Sequence, residues 1–396
     1  MSRRPHVVIA TRVFAPEPVA AAFREEALAR ALVRAGARVT VLTTTVPQAG
    51  TAASPAAPPA DGRERFAVRR LPAKRDSQGQ VRGYVSYMSF DVPLAARLLL
   101  TRGVDAVVSE PPPTTGMVVM IASALRRVPY AFYAADIWSD ATDSVEGVPG
   151  PVRRAVRWME TTVWRRAARV LTISPGVQAR AVELIGDRPS LTMVGNGIDT
   201  DAFSPDGPVA DEAGPFFVYA GTVSEWQGAE VFCEAFAAVR ARHPEARLLF
   251  FSEGTGRDAL RAMVRERGIE GIEFRPKVGP REVAAHLRGA VAGLSSITPG
   301  QGYAFALPTK IYAATACGTP VIHAGTGAAH DRIAGAGLGW AVEHDPAAVA
   351  AAMEQALAGE GAPAPEHLRT WTLANASLDG CADIAARAVL SAVRGG

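Results

Sequence analysis

Short runs of branched and aromatic residues alternate, almost from end to end, with helix-length segments whose apolar positions recur every three or four residues. A strand buried in a parallel sheet reads as a continuous apolar run, and a helix covering it reads as a one-sided stripe. The runs predict strands at His6–Ala10, Val39–Thr43, Phe66–Leu71, Ala106–Ser109, Tyr130–Ala134, Val170–Ile173 and Leu191–Val194. Between them fall helices over Ala21–Ala35, around Val92–Arg102, and over Gly116–Arg126, Val152–Ala168 and Gly176–Ile185, with an Ala/Pro loop at Gln48–Pro59. The rhythm restarts at Phe216–Tyr219, with strands at Arg247–Phe251, Ile272–Arg275, Ala292–Ser295, Val321-Ile322 and near Gly339–Val342. Its helices are predicted over Ala229–Arg242, Arg257–Arg267, Arg281–Arg288, Lys310–Cys317, Ala347–Ala358 and Ala382–Val393. This pattern predicts an α/β protein of two doubly wound, Rossmann-like domains joined near Gly197–Pro215. We place the divide at 198/199, with a C-terminal helix at about 379–396 returning to the first domain.

The chain has 396 residues, enough for two cores. Its cysteines, Cys233, Cys317 and Cys381, are scattered without CxxC spacing, which argues against zinc and a disulfide framework and for a reducing compartment. The apolar run in MSRRPHVVIAT is short for a signal peptide, and no stretch approaches a spanning helix, so the expected location is cytoplasmic. Charge is uneven. Residues 1–199 carry 26 Lys and Arg against 17 Asp and Glu, and the remainder 16 against 22. No RNP, helix-turn-helix or zinc signature accompanies the basic half, so no nucleic-acid partner is expected.

The segment LPTKIYAATACGTPVI, from Leu307 to Ile322, enters a helix at Pro308, leaves it at Gly318 and opens a strand after Pro320. It resembles the donor-site signature P-S/T-K-I-x-E-Y-M-A-x-G-x-P-V-I of retaining glycosyltransferases of family 4. VDAVVSEPPPTTGMVVMIASALRRVPYAFYAADIWSD looks like that family's strand, Pro-rich loop, helix and D-L-W-P-[DE] loop. VLTISPGVQARAVELIG, MVGNGIDTDAFSP and FFVYAGTVSEWQGAEVFCEAF follow in the family's order, the last resembling the branch that extends lipid-linked sugars of surface polysaccharides. The resemblance implies the GT-B fold, two domains facing a central cleft, with a nucleotide-sugar donor in the second and a glycosyl acceptor in the first.

The resemblance also implies roles. The donor diphosphate must be balanced by cations or by helix N-terminal amides. The loop that carries an Arg/Lys pair in many relatives offers Gly221, Thr222 and Gln227 here. Lys310 and the turn Gly302, Tyr303, Ala304, Phe305 are therefore the expected anchor, with solvation of Lys310 and a merely tight loop as the plain alternative. The nucleobase is expected near Arg275, Pro276 and Lys277, with Gly254 and Gly256 allowing close backbone approach. The ribose-binding glutamate of the family is replaced by Ala313, and the acidic residue eight positions earlier by Phe305. These losses point to a modified or deoxy sugar, or to a guanine or thymine nucleotide. On the acceptor side Arg12, Glu17, Glu110, Asp136 and Trp138 follow strand ends. Asp136 matches the family's aspartate and is the candidate at the reaction centre with Glu17; a helix-capping role is the alternative for Asp136. No metal and no cofactor beyond the donor substrate are expected, and retaining enzymes of this fold are thought to need no carboxylate pair.

The acceptor is either a small natural product or a lipid-linked sugar. A catalytically silent sugar-nucleotide-binding accessory protein stays open as a rival, and a 2-epimerase on the same fold as a third reading. Helix Val152–Ala168 sets Arg153, Arg154, Arg157, Arg165 and Arg166 around Trp158 and Trp164. It reads either as peripheral contact with an anionic membrane face, joined by Tyr84, Tyr87, Met88 and Phe90 after Lys74, Arg75 and Arg82, or as a core-facing helix with solvated arginines.

Overall fold

The computed structural model describes residues 3–17, 19–46, 66–76, 79, 81, 83–143, 147–253, 256–300 and 303–394. The expected loop at 48–59 and the residues Arg82, Gly254 and Gly302 lie outside them. The chain divides into two compact units, Met1–Gly195 with Cys381–Gly396, and Asn196–Gly380. The divides fall at Gly195/Asn196 and Gly380/Cys381 rather than at 198/199 and 378/379.

The first unit holds β1 (His6–Ala10), β2 (Arg38–Thr44), β3 (Ala67–Leu71), β4 (Ala106–Ser109), β5 (Tyr130–Ala134), β6 (Arg169–Thr172) and β7 (Leu191–Met193). They pair in the order β3-β2-β1-β4-β5-β6-β7, every pair parallel. The second unit holds β8 (Phe216–Thr222), β9 (Arg247–Glu253), β10 (Ile272–Arg275), β11 (Ala292–Ser296), β12 (Val321–Ala324) and β13 (Gly339–Val342). Their order is β10-β9-β8-β11-β12-β13, again all parallel. Both are doubly wound sheets.

Alternate residues of β8 and β9 face opposite ways and both faces are covered, which explains the unbroken apolar runs over 216–220 and 248–251. Phe217, Tyr219, Leu248 and Phe250 pack under the helices Glu230–Arg242, Gly256–Glu266 and Pro346–Ala358. Phe216, Val218, Leu249 and Phe251 pack under Pro280–Gly289, Thr309–Ala316 and Ala328–Ala336. The last of these helices, with Trp138–Asp143 and Pro365–Asn375, is absent from the sequence expectation, because their apolar stripes are short or interrupted by polar residues. The C-terminal helix Leu378–Arg394 joins the first unit from Cys381 onward, where Arg34 bonds Asp383 at 2.9 Å and Arg169 bonds Ser391 at 3.1 Å.

One expected boundary moves substantially. The helix predicted around Val92–Arg102 runs over Tyr84–Leu100, with Pro93 inside it. The proline suggests a start near it, but Ser86, Phe90, Leu94 and Leu98 form one buried stripe that carries the helix through. Phe90 is therefore core and Tyr84 is exposed.

Gly197 lies where two passes of the chain touch, beside the parallel bridge Ile198–Ser377. A Cβ there would sit 2.5 Å from the Leu378 nitrogen and 2.6 Å from the Ser377 carbonyl carbon. Backbone cannot yield as a flexible side chain does, so Gly197→Ala is expected to destabilise the fold by about 1–3 kcal/mol, read as a lower urea midpoint.

Candidate functional site

In a doubly wound sheet the connections leave in opposite directions at one point, and the carboxyl ends of the strands there stay uncovered. In the second unit this switch point lies between β8 and β11. Gly221, near the end of β8, has φ +136, and a Cβ on it would meet Lys310 Cε at 3.6 Å and Nζ at 3.8 Å. The Lys310 side chain thus lies flat against the glycine backbone, and its Nζ sits 3.6 Å from the centroid of the Tyr219 ring. That nitrogen is buried and has no hydrogen-bond partner among the described residues. Desolvation pushes its pKa down to about 7.

Other buried polar atoms in this unit share its condition. Ser252 Oγ on β9, Ser296 Oγ on β11 and His323 Nε2 on β12 all lack a hydrogen-bond partner among the described residues. His323 Nδ1 lies 3.3 Å from Ser295 Oγ. Its pKa is pushed down to about 3, first by burial and then by the positive neighbours His330, Lys310 and His344. Such orphans in a packed interior call for an explanation, and a polar ligand supplies one. Above the sheet, Trp226 stacks on Tyr303 with centroids 4.6 Å apart and planes at 23°. Gln227 turns inward: its Oε1 accepts from the Tyr219 hydroxyl and from the Ser224 amide, both at 3.2 Å.

In the first unit the switch point lies between β1 and β4. Arg12, just past β1, donates to the carbonyls of Val81 at 2.9 Å and Pro111 at 3.0 Å, and its guanidinium lies 4.4 Å from the Tyr87 centroid. Trp138 also meets Tyr87, the two rings T-shaped with centroids 5.9 Å apart. Glu110, just past β4, pairs with Arg24, which also lies 4.9 Å from the Tyr133 ring centroid. Glu25, on the same helix as Arg24, is completely buried. As an anion it finds no donor; as a neutral acid it can donate to the Glu110 carboxylate. Its pKa is accordingly raised well above the usual range, by desolvation first and by Glu110 next, against the opposing pull of Arg24. Asp136 is exposed, yet surrounding protein still desolvates its carboxyl and raises its pKa, with Glu110 adding and Arg24 opposing.

The Glycosyl transferase 4-like domain matches residues 19–197, and the domain described as Glycosyl transferases group 1 matches residues 214–359. The chain belongs to the family-4-like glycosyltransferases. A D-inositol 3-phosphate glycosyltransferase of Jonesia denitrificans is 29% identical over 193 residues, which are 43% of this chain; the match spans 44% of that protein. Among solved structures, a glycosyltransferase from Rickettsia africae superposes with a TM-score of 0.74 over 100% of both chains at 13% identity. The Anabaena protein HepE, solved in complex with UDP-glucose, does so with a TM-score of 0.68 over 98% of this chain and 99% of its own, at 14% identity. At such identities the likeness concerns the GT-B fold.

The expected donor residues of this chain separate into two groups. Gly221, Lys310 and the outer Thr222 gather at the switch point, with Tyr303 close by on Trp226. Phe305 is 37% exposed, and Ala304 offers its carbonyl to the Ala328 amide. The Ala306 amide, next after that turn, is already bonded to the Tyr303 carbonyl at 2.9 Å. Ala313 faces the core. Glu212 and Glu273 hold the Arg275 guanidinium, with His286 beside it, so that side chain is engaged within its own unit. The neighbouring Lys277 pairs with Glu253 at 2.6 Å, which leaves Pro276 between two committed side chains. Gln227 likewise supports its loop instead of reaching outward.

On the acceptor side Arg12, Glu110 and Trp138 share one neighbourhood, whereas Glu17 is bound to Arg75 at 2.9 Å, beside Thr44 and Thr45. Asp136 does not cap the short helix after it. Glu160 does so instead, accepting the amides of Trp138 at 2.7 Å and Ser139 at 3.0 Å. Glu25 and His323 went unread in the sequence. Glu25 occupies the buried stripe of its helix with Ala22, Ala29 and Leu32, a spacing that exposes it as an acid on an apolar face.

Because the folded protein holds a proton on Glu25 that the unfolded chain releases above the ordinary glutamate range, stability falls as pH rises from that range toward the raised value. Glu25→Gln keeps a donor to Glu110 and removes this dependence. Its melting temperature is expected to exceed that of the wild type at pH 8, with the gap closing toward pH 5.

Proposed function

We propose that this protein is a retaining glycosyltransferase that moves a sugar from a nucleoside diphosphate donor, held by the second unit, to an acceptor hydroxyl presented by the first. The observation that carries the reading is Lys310. A buried ammonium with no anionic partner, set at a switch point against the open backbone of Gly221, favours an anionic ligand. A diphosphate meets that demand without a metal, and the orphan Ser296 and His323 add polar partners for the ligand's hydroxyls. In the reaction the bond from sugar C1 to the diphosphate oxygen breaks, and the acceptor oxygen bonds C1 on the same face. The acceptor proton passes to the leaving diphosphate, whose growing charge Lys310 offsets. Asp136, exposed and carrying a raised pKa, suits contact with sugar or acceptor hydroxyls.

The acceptor is a small natural product or a lipid-linked sugar. Ala313 offers no carboxylate to a ribose, which favours a modified or deoxy sugar, or a guanine or thymine nucleotide. Calorimetric titration with a panel of nucleoside diphosphate sugars tests this, and a marked preference for UDP-glucose or UDP-N-acetylglucosamine would overturn it. A second reading, binding without turnover, is favoured by the inward Gln227 and the engaged Arg275. Donor binding with neither transfer nor hydrolysis would select it.

The Lys310 environment yields a sharper test. The free protein keeps this amine largely neutral above about pH 7, whereas a bound diphosphate favours the ammonium. The linking phosphates of a nucleotide sugar do not titrate near neutrality, so uptake reports the protein. Binding at pH 8 is expected to take up close to one proton, and at pH 6 almost none, measured by calorimetry in buffers of different ionisation enthalpy. Lys310→Met should abolish the uptake and weaken binding by about tenfold or more, the order of a charge-assisted hydrogen bond.

A further inference from the structure

Three helices lie side by side in the first unit: Pro113–Arg126 packs against both Tyr84–Leu100 and Gly150–Arg166. Their outer surfaces expose large apolar side chains, with Leu100 79%, Leu125 70% and Trp158 59% exposed, and Val92, Leu99 and Ile121 beside them in the same helices. Scattered apolar residues are ordinary on a surface, but here the most exposed ones gather. Among the described residues every large apolar side chain more than half exposed, Val209 excepted, lies on these three contiguous helices. The charges on these helices all have one sign outward. Their acidic residues are Asp91 and Glu160, and both are buried. Asp91 accepts from Thr115 at 2.6 Å, and Glu160 caps the Trp138–Asp143 helix. Arg153, Arg154, Arg165 and Arg166 are exposed without a carboxylate partner among the described residues, and Arg157 is offset by Asp143 at 2.5 Å. Trp164, by contrast, is core, so the helix Gly150–Arg166 is two-faced: one side packs on the sheet, the other presents Trp158 among arginines.

We infer that this three-helix face docks on an anionic lipid surface. Apolar side chains enter the headgroup boundary while the arginines meet lipid phosphates, a combination that neither interaction supplies alone. A second copy of the chain is a poor occupant, since two such faces would bring arginines together with no carboxylate between them. A nucleic acid would leave the leucines and Trp158 without a partner. No helix among the described residues is long and apolar enough to cross a membrane, so the contact is peripheral in kind. The inference does not rest on the transfer reaction.

The test is co-sedimentation of the full chain with vesicles of equal parts phosphatidylglycerol and phosphatidylcholine, against phosphatidylcholine alone. Binding is expected to the anionic vesicles only, and to fall steeply as salt rises from about 50 mM to about 300 mM. The pair Arg153→Glu and Arg154→Glu should lower the partition coefficient at least about fivefold per reversed charge. The pair Leu100→Ser and Leu125→Ser should lower it at unchanged salt dependence. All four positions are exposed, and melting temperatures matching the wild type establish that the variants fold. Absence of binding at low salt, equal binding to neutral vesicles, or variants that bind as the wild type does would each overturn the inference. So would a dimer in sedimentation velocity that the leucine variants dissolve, or retention by soluble poly-glutamate that equals retention by vesicles.

Discussion

Parallel pairing constrains everything else in this protein. A parallel strand cannot turn back on its neighbour by a tight hairpin; it must cross over, and the crossing helices cover the faces of the sheet. The central strands of the second sheet are therefore apolar on both sides, as the alternation of Phe216 and Phe217 or Leu248 and Leu249 shows. In β8 and β9 the polar side chains, Thr222, Arg247, Ser252 and Glu253, lie at the strand ends. At the two switch points no helix crosses over the gap, and there the structure places Lys310 beside Gly221 and Arg24 beside Glu110.

The two switch points answer burial differently. In the first unit charge is balanced internally: Arg24 lies between an aromatic ring and a carboxylate, and Glu25 gives up its charge in favour of a proton facing Glu110. Burying one carboxylate with its cation and neutralising the other costs less than burying two anions. In the second unit the balance is left open. Among the described residues Lys310 has an aromatic face and a glycine but no anion, and Ser296 Oγ and His323 Nε2 in the same unit are also without a hydrogen-bond partner.

Outward-facing helices repeat this division on the surface. The two acids on the three adjacent helices of the first unit are buried and hydrogen-bonded, and what remains outside is arginine and leucine. The same residue type thus has two fates within one helix, as Trp158 and Trp164 show.

Much of this was legible in order along the chain. The alternation of apolar runs and one-sided stripes determines two doubly wound domains, because only parallel strands covered on both faces have that signature. Leu307 to Ile322 likewise marks Lys310, since a proline entry and a glycine exit bound the helix wherever it packs. Spacing could not tell which polar side chains meet one another. Gln227 and Arg275 look available in the sequence, but the first closes its own turn and the second is clamped by Glu212, remote in the chain. Pro93 looks like a helix start, yet the buried stripe from Ser86 to Leu98 carries the helix through it. Local pattern is set by each residue's own surface and therefore shows in the sequence. Partnership and the charge state of a buried group depend on atoms brought together from distant segments, and only the tertiary structure decides those.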